Sequence, residues 1–327
     1  MNRLTINTLK GLRKLYSEAY GKNNSKKPDC INDPEIASKI ILDLLQDDNP
    51  RMIARFGSVE MACLMNYFGV KGDTPKYIDY IKGNKFPWWW EIPIINNMHL
   101  NAGFFPPTKA KVEQFCELML EDIPIIDVLG SWLDQEKVLE RELKNSNKVH
   151  LRLLEPFWSE NPWTKALEGK KVLVVHPFEN EIRQQYQKRD LLFKRNILPD
   201  FELKTVKAII SFANEKTKFI DWFEALEYMK AEIDKVDYDI CLIGCGAYGF
   251  PLAAHVKRMG KKGFHLGGSL QLLFGIRGKR WEDPYYGTKN WGIAYGAYSS
   301  LMNENWIRPG EDVKPNGSEK VEGNCYW

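Results

Sequence analysis

The sequence predicts an α/β fold: a mostly parallel sheet with helices on both faces, Rossmann-like in its layering, behind a helical N-terminal extension. Three observations predict it. Tyr238 to Gly268 reads YDICLIGCGAYGFPLAAHVKRMGKKGFHLGG, an apolar run, a glycine-rich turn, a helical pattern and a second short strand. Arg51 to Phe56 is strand-like and is followed by Gly57-Ser58 and a helical stretch from Val59 to Phe68. Between these units, the β-type runs Val172–His176 and Val206–Ser211 alternate with helical patterns, as βαβ connections require.

Taken in order, residues 1–20 form a basic amphipathic pattern in which Leu4, Ile6, Leu9, Leu12 and Leu15 alternate with Lys10, Arg13 and Lys14. It suits packing on the domain or peripheral membrane association. Residues 21–33 are polar and loop-like. Asp33-Pro34 opens the next helix as N-cap and first-turn proline, with Ile36, Ile40, Ile41, Leu44 and Leu45 as its apolar stripe. Residues 85–107 are aromatic and proline-flanked with no clear period; Trp88, Trp89 and Trp90 offer a sugar platform or core packing. Helical patterns return at Lys109–Leu120 and Gln135–Leu143, follow Val172–His176 as far as Arg195, and recur near Phe219–Ile233 and Leu270–Ile276. From Asn303 the chain turns polar and rich in Gly and Pro, which suits a tail that is disordered or laid across the domain. The organisation read from this is an extension (1–48), an α/β domain (49–302) and a tail (303–327).

The 327 residues carry a net charge of +3, which gives no electrostatic case for nucleic acid. Six cysteines are scattered without a C-x-x-C pair, so zinc clusters and dithiol redox chemistry lack support. The N-terminus has no apolar stretch of signal-peptide kind, and no run reaches the roughly 18 apolar residues of a membrane helix. A reducing, cytoplasmic setting is the expectation.

The turn holding Gly244, Gly246, Ala247, Tyr248 and Gly249 precedes a helix N-terminus, and Gly267-Gly268 ends the adjacent strand. Free N–H groups and a partial positive charge suit such a turn to phosphate; close helix packing explains glycines equally well. The spacing fits G-x-G-x-x-G, but the ribose-binding acid expected about 20 residues on, near Ser269, is missing. That argues against a nicotinamide or flavin dinucleotide and leaves nucleotides open. Because ligands of open α/β sheets bind beyond the carboxyl ends of the strands, Arg55, Ser58, His176 and both glycine turns are expected to share one crevice.

At Ile53–Met61 (IARFGSVEM) the sequence resembles the GT-D glycosyltransferases, bacterial glycan-building enzymes whose early turn reads R-F-G-D-G-E. The late unit from Asp239 to Gly268 corresponds in position to theirs, and GKRWE with the CYW-ended tail is similar to a polysaccharide-cluster branch of the group. The resemblance spans roughly Arg51 to Trp281. It implies a GT-D-like fold and transfer of sugar from a nucleotide-diphosphate donor to a surface-glycan or lipid-linked acceptor. The donor would lie across Arg55, Phe56, Gly57, Ser58 and Glu60 and the two glycine turns. In the family an Asp-x-Glu pair helps hold a divalent metal. Here Ser58 replaces the Asp while Glu60 remains, which puts Mn2+ or Mg2+ dependence in doubt.

Such transfer needs a cation at the leaving diphosphate and a positioned acceptor hydroxyl. Arg55 fits the first role, or a structural ion pair. Glu60 fits a metal ligand, a sugar-hydroxyl acceptor or a base. His176 in VVHPF fits a base or phosphate donor, or a structural histidine. His265, in the strand beside Gly267, is a further candidate for the crevice, whereas His255 reads as packing. Arg277, Lys279 and Arg280 in GIRGKRW read as a cationic lid over the diphosphate, or as an exposed basic loop. IGCGAYG also resembles the glycine loop of S-adenosylmethionine-dependent methyltransferases, and a non-catalytic nucleotide or sugar sensor is a third reading.

Overall fold

The computed structural model describes residues 2–21, 28–72, 75–211, 215, 217–310, 314 and 326–327. Most of the C-terminal tail, including Cys325, and most of the polar loop after residue 21 lie outside the described residues.

Seven strands form one sheet: β1 (Arg51–Arg55), β2 (Val128–Ser131), β3 (Asn147–His150), β4 (Lys171–His176), β5 (Glu202–Lys207), β6 (Ile240–Ile243) and β7 (Lys262–His265). Their order is β3-β2-β1-β7-β6-β4-β5, and every pairing is parallel. The expected α/β class with a parallel sheet is therefore what the chain adopts. Strands buried on both faces must be apolar in both phases of their alternation. Val172 and Val174 face one core, Leu173 and Val175 the other. Ile240 and Leu242 likewise face away from Cys241 and Ile243.

Helices cover both faces. α1 (Arg3–Tyr20) rests on the short helix Tyr77–Ile81, with Leu9 buried and Leu4, Leu12 and Leu15 outward. Its basic side chains tie it down: Lys10 bonds Glu91, and Arg13 lies 4.6 Å above the Tyr80 ring. α2 (Pro34–Gln46) is capped by Asp33, whose carboxylate accepts from the Ile36 amide at 2.9 Å. Ala37, Ile41 and Leu45 bury it against the sheet, so this helix belongs to the main body. α3 (Ser58–Val70) and α4 (Lys109–Asp122) cover the opposite face, together with α5 (Trp222–Asp234) and α6 (Gly249–Arg258).

Several elements depart from the sequence reading. β2 is only VLGS and β3 only NKVH, too short and, in β3, too polar for an apolar-run signal. β3 is tolerated as an edge strand because only one side of it needs pairing. The strand expected at Val206–Ser211 begins earlier, at Glu202, and its sequence ELKTVK is polar for the same edge reason. The helix expected from His176 to Arg195 is two pieces, Glu179–Tyr186 and Arg189–Leu192, and Gln135–Leu143 contains only the 3-10 segment Asp134–Leu139.

From β1 the chain winds outward through β2 to β3. It then crosses to build β4 and β5, and returns through β6 and β7 to close against β1. The central strands β1, β7, β6 and β4 thus lie side by side, and their C-terminal turns crowd one rim.

Candidate functional site

At that rim is a crevice of about 390 Å3. The β1 turn supplies Arg55, Gly57, Ser58 and Glu60; β4 supplies His176; the β6 turn supplies Gly244, Gly246 and Tyr248; the β7 end supplies His265, Gly267 and Gly268; and Arg280 closes one side. The residues drawn from distant parts of the sequence therefore do meet. The N-terminal turn of α3 opens into this space, so it is bordered by backbone N–H groups and the positive end of that helix, whereas α6 reaches it only through its N-cap Tyr248.

Four expected residues do not line it. Phe56 is buried and stacked on Phe250 at 5.1 Å; only its carbonyl looks outward, accepting from the Trp132 indole N–H at 3.0 Å. Ala247 points into the core. Gly249 begins α6 beneath the turn, where it serves packing. Arg277 is drawn away, its guanidinium donating to the Asn303 carbonyl while its amide donates to Ile307. Ile276 bridges Ile307 and is fully buried, so GIRGKRW is fastened to the body and is not a free lid. Trp88 and Trp89 also lie elsewhere, edge-on to each other and to Tyr80, and Trp90 packs against the core.

Arg55 is the electrostatic centre. Its guanidinium lies 5.7 Å from the Trp132 ring, and its Nε comes within 3.6 Å of where a Cβ on Gly267 would stand. Among the described residues it forms no salt bridge and no side-chain hydrogen bond. Its Coulombic partner, Glu60, is not in salt-bridge contact, so the guanidinium N–H donors remain for an anionic ligand. Glu60 is the carboxylate whose charge it feels. Burial pushes the Glu60 carboxyl above its usual range and Arg55 pulls the other way. Glu60 folds back over Gly57, where any Cβ would meet its Oε2 at 1.9 Å.

Burial alone lowers His176 to about 3, so its ring is neutral. Its Nδ1 accepts from the Phe178 amide at 3.0 Å, which assigns the proton to Nε2. That corrects the expectation of a base: His176 can donate to a ligand but has no lone pair turned to the crevice. His265 is also neutral, lowered to about 3 chiefly by burial and further by Arg55, and its buried Nδ1 has no hydrogen-bond partner among the described residues. Its ring occupies the space a side chain on Gly249 would need, 2.1 Å from an added Cβ. Gly249→Ala is therefore expected to destabilise the protein by about 1–3 kcal/mol through overpacking. Adding His265→Ala should recover most of the loss; denaturant melts of the single and double variants measure both.

The sequence reading missed the other wall. Glu155 follows β3 and lines the crevice; its Oε2 accepts from the Trp158 indole at 2.9 Å and from the Tyr298 hydroxyl at 2.7 Å. Burial raises its carboxyl to about 7, with Tyr298, Trp158 and Arg152 opposing. Arg152 lies 3.7 Å over the Trp158 ring, and its buried Nε has no hydrogen-bond partner among the described residues. Trp132, Trp281 and Trp291 bring aromatic surface. The terminal Tyr326-Trp327 pair joins them: Tyr326 lies against Gly268 and accepts at its carbonyl from Gln271 at 3.2 Å, and Trp327 meets Phe178 edge-on. A lone glutamate in LLEPFW carries no local signal; only the two donors folded onto it from residues 158 and 298 make it distinctive.

Among the described residues no group of three His, Cys, Asp or Glu is placed to hold a metal ion. Glu60 offers one carboxylate with an arginine beside it, a donor set that does not fit a protein-held divalent cation. The sequence matches no protein-family model, and neither a curated protein nor a solved structure matches it.

Proposed function

We propose that the protein is a glycosyltransferase of the GT-D kind, moving a sugar from a nucleotide-diphosphate donor to a surface-glycan or lipid-linked acceptor. What supports this most is Arg55, a cation with no salt bridge among the described residues, standing where the α3 N-terminus and the glycine turns of β6 and β7 converge. That combination suits a diphosphate better than a neutral ligand.

In this reading the donor diphosphate lies across the β1 and β6 turns. As the anomeric C–O bond breaks, its electron pair passes to the diphosphate, where Arg55, the α3 and β6-turn amides and the His176 Nε2–H receive the growing charge. Glu155 takes the proton from the acceptor hydroxyl as the new glycosidic bond forms, since a carboxyl with a pKa of about 7 is matched to that task. Glu60 holds a donor hydroxyl. With no fitting set of metal ligands among the described residues, no step is routed through a metal. Donor binding and turnover are expected to survive EDTA unchanged, and a strict Mn2+ or Mg2+ requirement in the same assay would overturn that assignment. No described helix is long and apolar enough to cross a membrane. The outward Leu4, Leu12 and Leu15 of α1 would let the protein rest on a lipid surface carrying its acceptor.

A thermal-shift panel of nucleoside diphosphates, their sugars and S-adenosylmethionine tests the reading. A nucleotide-sugar at about 100 times its Kd should add about 2.7 kcal/mol to native stability. A shift with S-adenosylmethionine alone would instead favour a methyltransferase, although β7 ends in His265-Leu266-Gly267 with no acid to hold a ribose. Saturable donor binding with neither hydrolysis nor transfer would mark a sensor.

A further inference from the structure

A second cavity, of about 660 Å3, shares Arg152 and Trp291 with the crevice, so these two side chains form the partition between them. Its walls carry three groups that are cationic or become so on protonation, Arg152, Arg195 and His150, against one carboxylate, Glu160. Arg195 is committed: it donates to Ser159 and Phe157 carbonyls at 3.0 and 2.9 Å and to Glu160 at 3.2 Å. The Nδ1 of His150 accepts from the Arg152 amide at 3.4 Å. Arg152 is different. Its guanidinium carbon lies 3.7 Å from the Trp158 ring centroid, yet its buried Nε has no hydrogen-bond partner among the described residues. A donor fixed in place and left unmade is costly unless a ligand completes it.

We propose that this second cavity is a subsite for a phosphorylated sugar, with Arg152 receiving the phosphate and the Trp291 indole receiving the sugar face. A planar, always-charged guanidinium already held against an indole is preorganised for a phosphate oxygen pair. Trp291 itself is braced edge-on by Trp132 and Tyr286. Naming the bound sugar an acceptor rests on reading the crevice as the donor site. Glu155 then stands at the junction, bonded to Trp158 of one cavity while lining the other.

Isothermal titration of the full chain with α-D-glucose 1-phosphate, in the presence and absence of saturating UDP, tests this. Wild type should bind the sugar phosphate saturably in both conditions. Arg152→Gln should lose about ten- to a hundredfold in affinity, the worth of one charge-assisted contact. Trp291→Ala should weaken glucose 1-phosphate more than inorganic phosphate, which keeps a readout should Arg152→Gln fold poorly by circular dichroism. Because Arg152 lines both cavities, the probe is placed in the second one by loss of binding in Asn32→Trp, which narrows that cavity alone, with binding kept in Arg55→Ala. Absence of saturable binding to wild type, or equal binding by wild type, Arg152→Gln and Trp291→Ala, overturns the proposal. If UDP fails to bind while the Arg152-dependent titration succeeds, the subsite stands and the donor reading falls.

Discussion

Arg55→Ala is expected to abolish donor turnover and to weaken nucleoside-diphosphate binding about a hundredfold, with the protein still folded. The magnitude follows from charge-assisted hydrogen bonds to a diphosphate, worth about 1.5–3 kcal/mol each. Arg55 closes no salt bridge among the described residues, and buried Glu60, which loses its Coulombic partner, can take up a proton instead, so the fold is expected to survive. Arg55→Lys keeps the charge but not the fork of N–H donors and should sit between wild type and alanine. Glu60→Gln is expected to reduce turnover too, through the donor hydroxyl. Calorimetric affinity and donor hydrolysis, read beside circular dichroism melts, separate binding from folding. Turnover of wild-type kind in both Arg55→Ala and Glu60→Gln would reject the placement of the donor.

Glu155→Gln should lose activity and gain stability at once. The carboxyl has its pKa raised from 4.5 to about 7 by burial, so the folded state holds the proton more tightly than the unfolded chain. The sign follows from linkage: stability present below the unfolded value is lost as pH rises through the folded value near 7. Glutamine mimics the protonated form and still accepts from Trp158 and Tyr298. At pH 8 the variant should therefore be more stable than wild type by up to about 3 kcal/mol, at 1.36 kcal/mol per unit, and no more stable at pH 4. Turnover should fall about 100- to 10,000-fold, the range for a lost general base. Wild-type turnover should rise with pH to a plateau above 7, a limb absent from the variant's residual rate. A variant that melts like wild type at both pH values would show that Glu155 does not titrate as its surroundings imply.

Much of the crevice was legible because its parts are local. Gly57-Ser58 after β1 and the turns after β6 and β7 announce themselves as a strand end followed by small residues, and His176 as the polar end of the apolar run of β4. Parallel pairing then places all such ends on one rim. The misreadings share a cause. Gly249 has the spacing of a phosphate-binding glycine, yet the ring it makes room for belongs to His265, on the neighbouring strand. Arg277 looked like part of a lid because nothing nearby in sequence announces that Asn303 and Ile307 fasten it. The polar edge strands β3 and β5 escaped because a strand half open to solvent need not be apolar.

The sequence by itself determined the layered α/β class, the strand–turn–helix units and the rim on which their glycines gather, since each depends on patterns within about 30 residues. Only the structure decided that Arg55 would stand without a salt bridge among the described residues, that His176 would spend its Nδ1 on a backbone amide, and that Glu155 would be buried beneath Trp158 and Tyr298. Charge, protonation and tautomer are set by whatever the fold brings within a few ångströms, whether a backbone amide two residues on, as for His176, or a hydroxyl 143 residues away, as for Glu155.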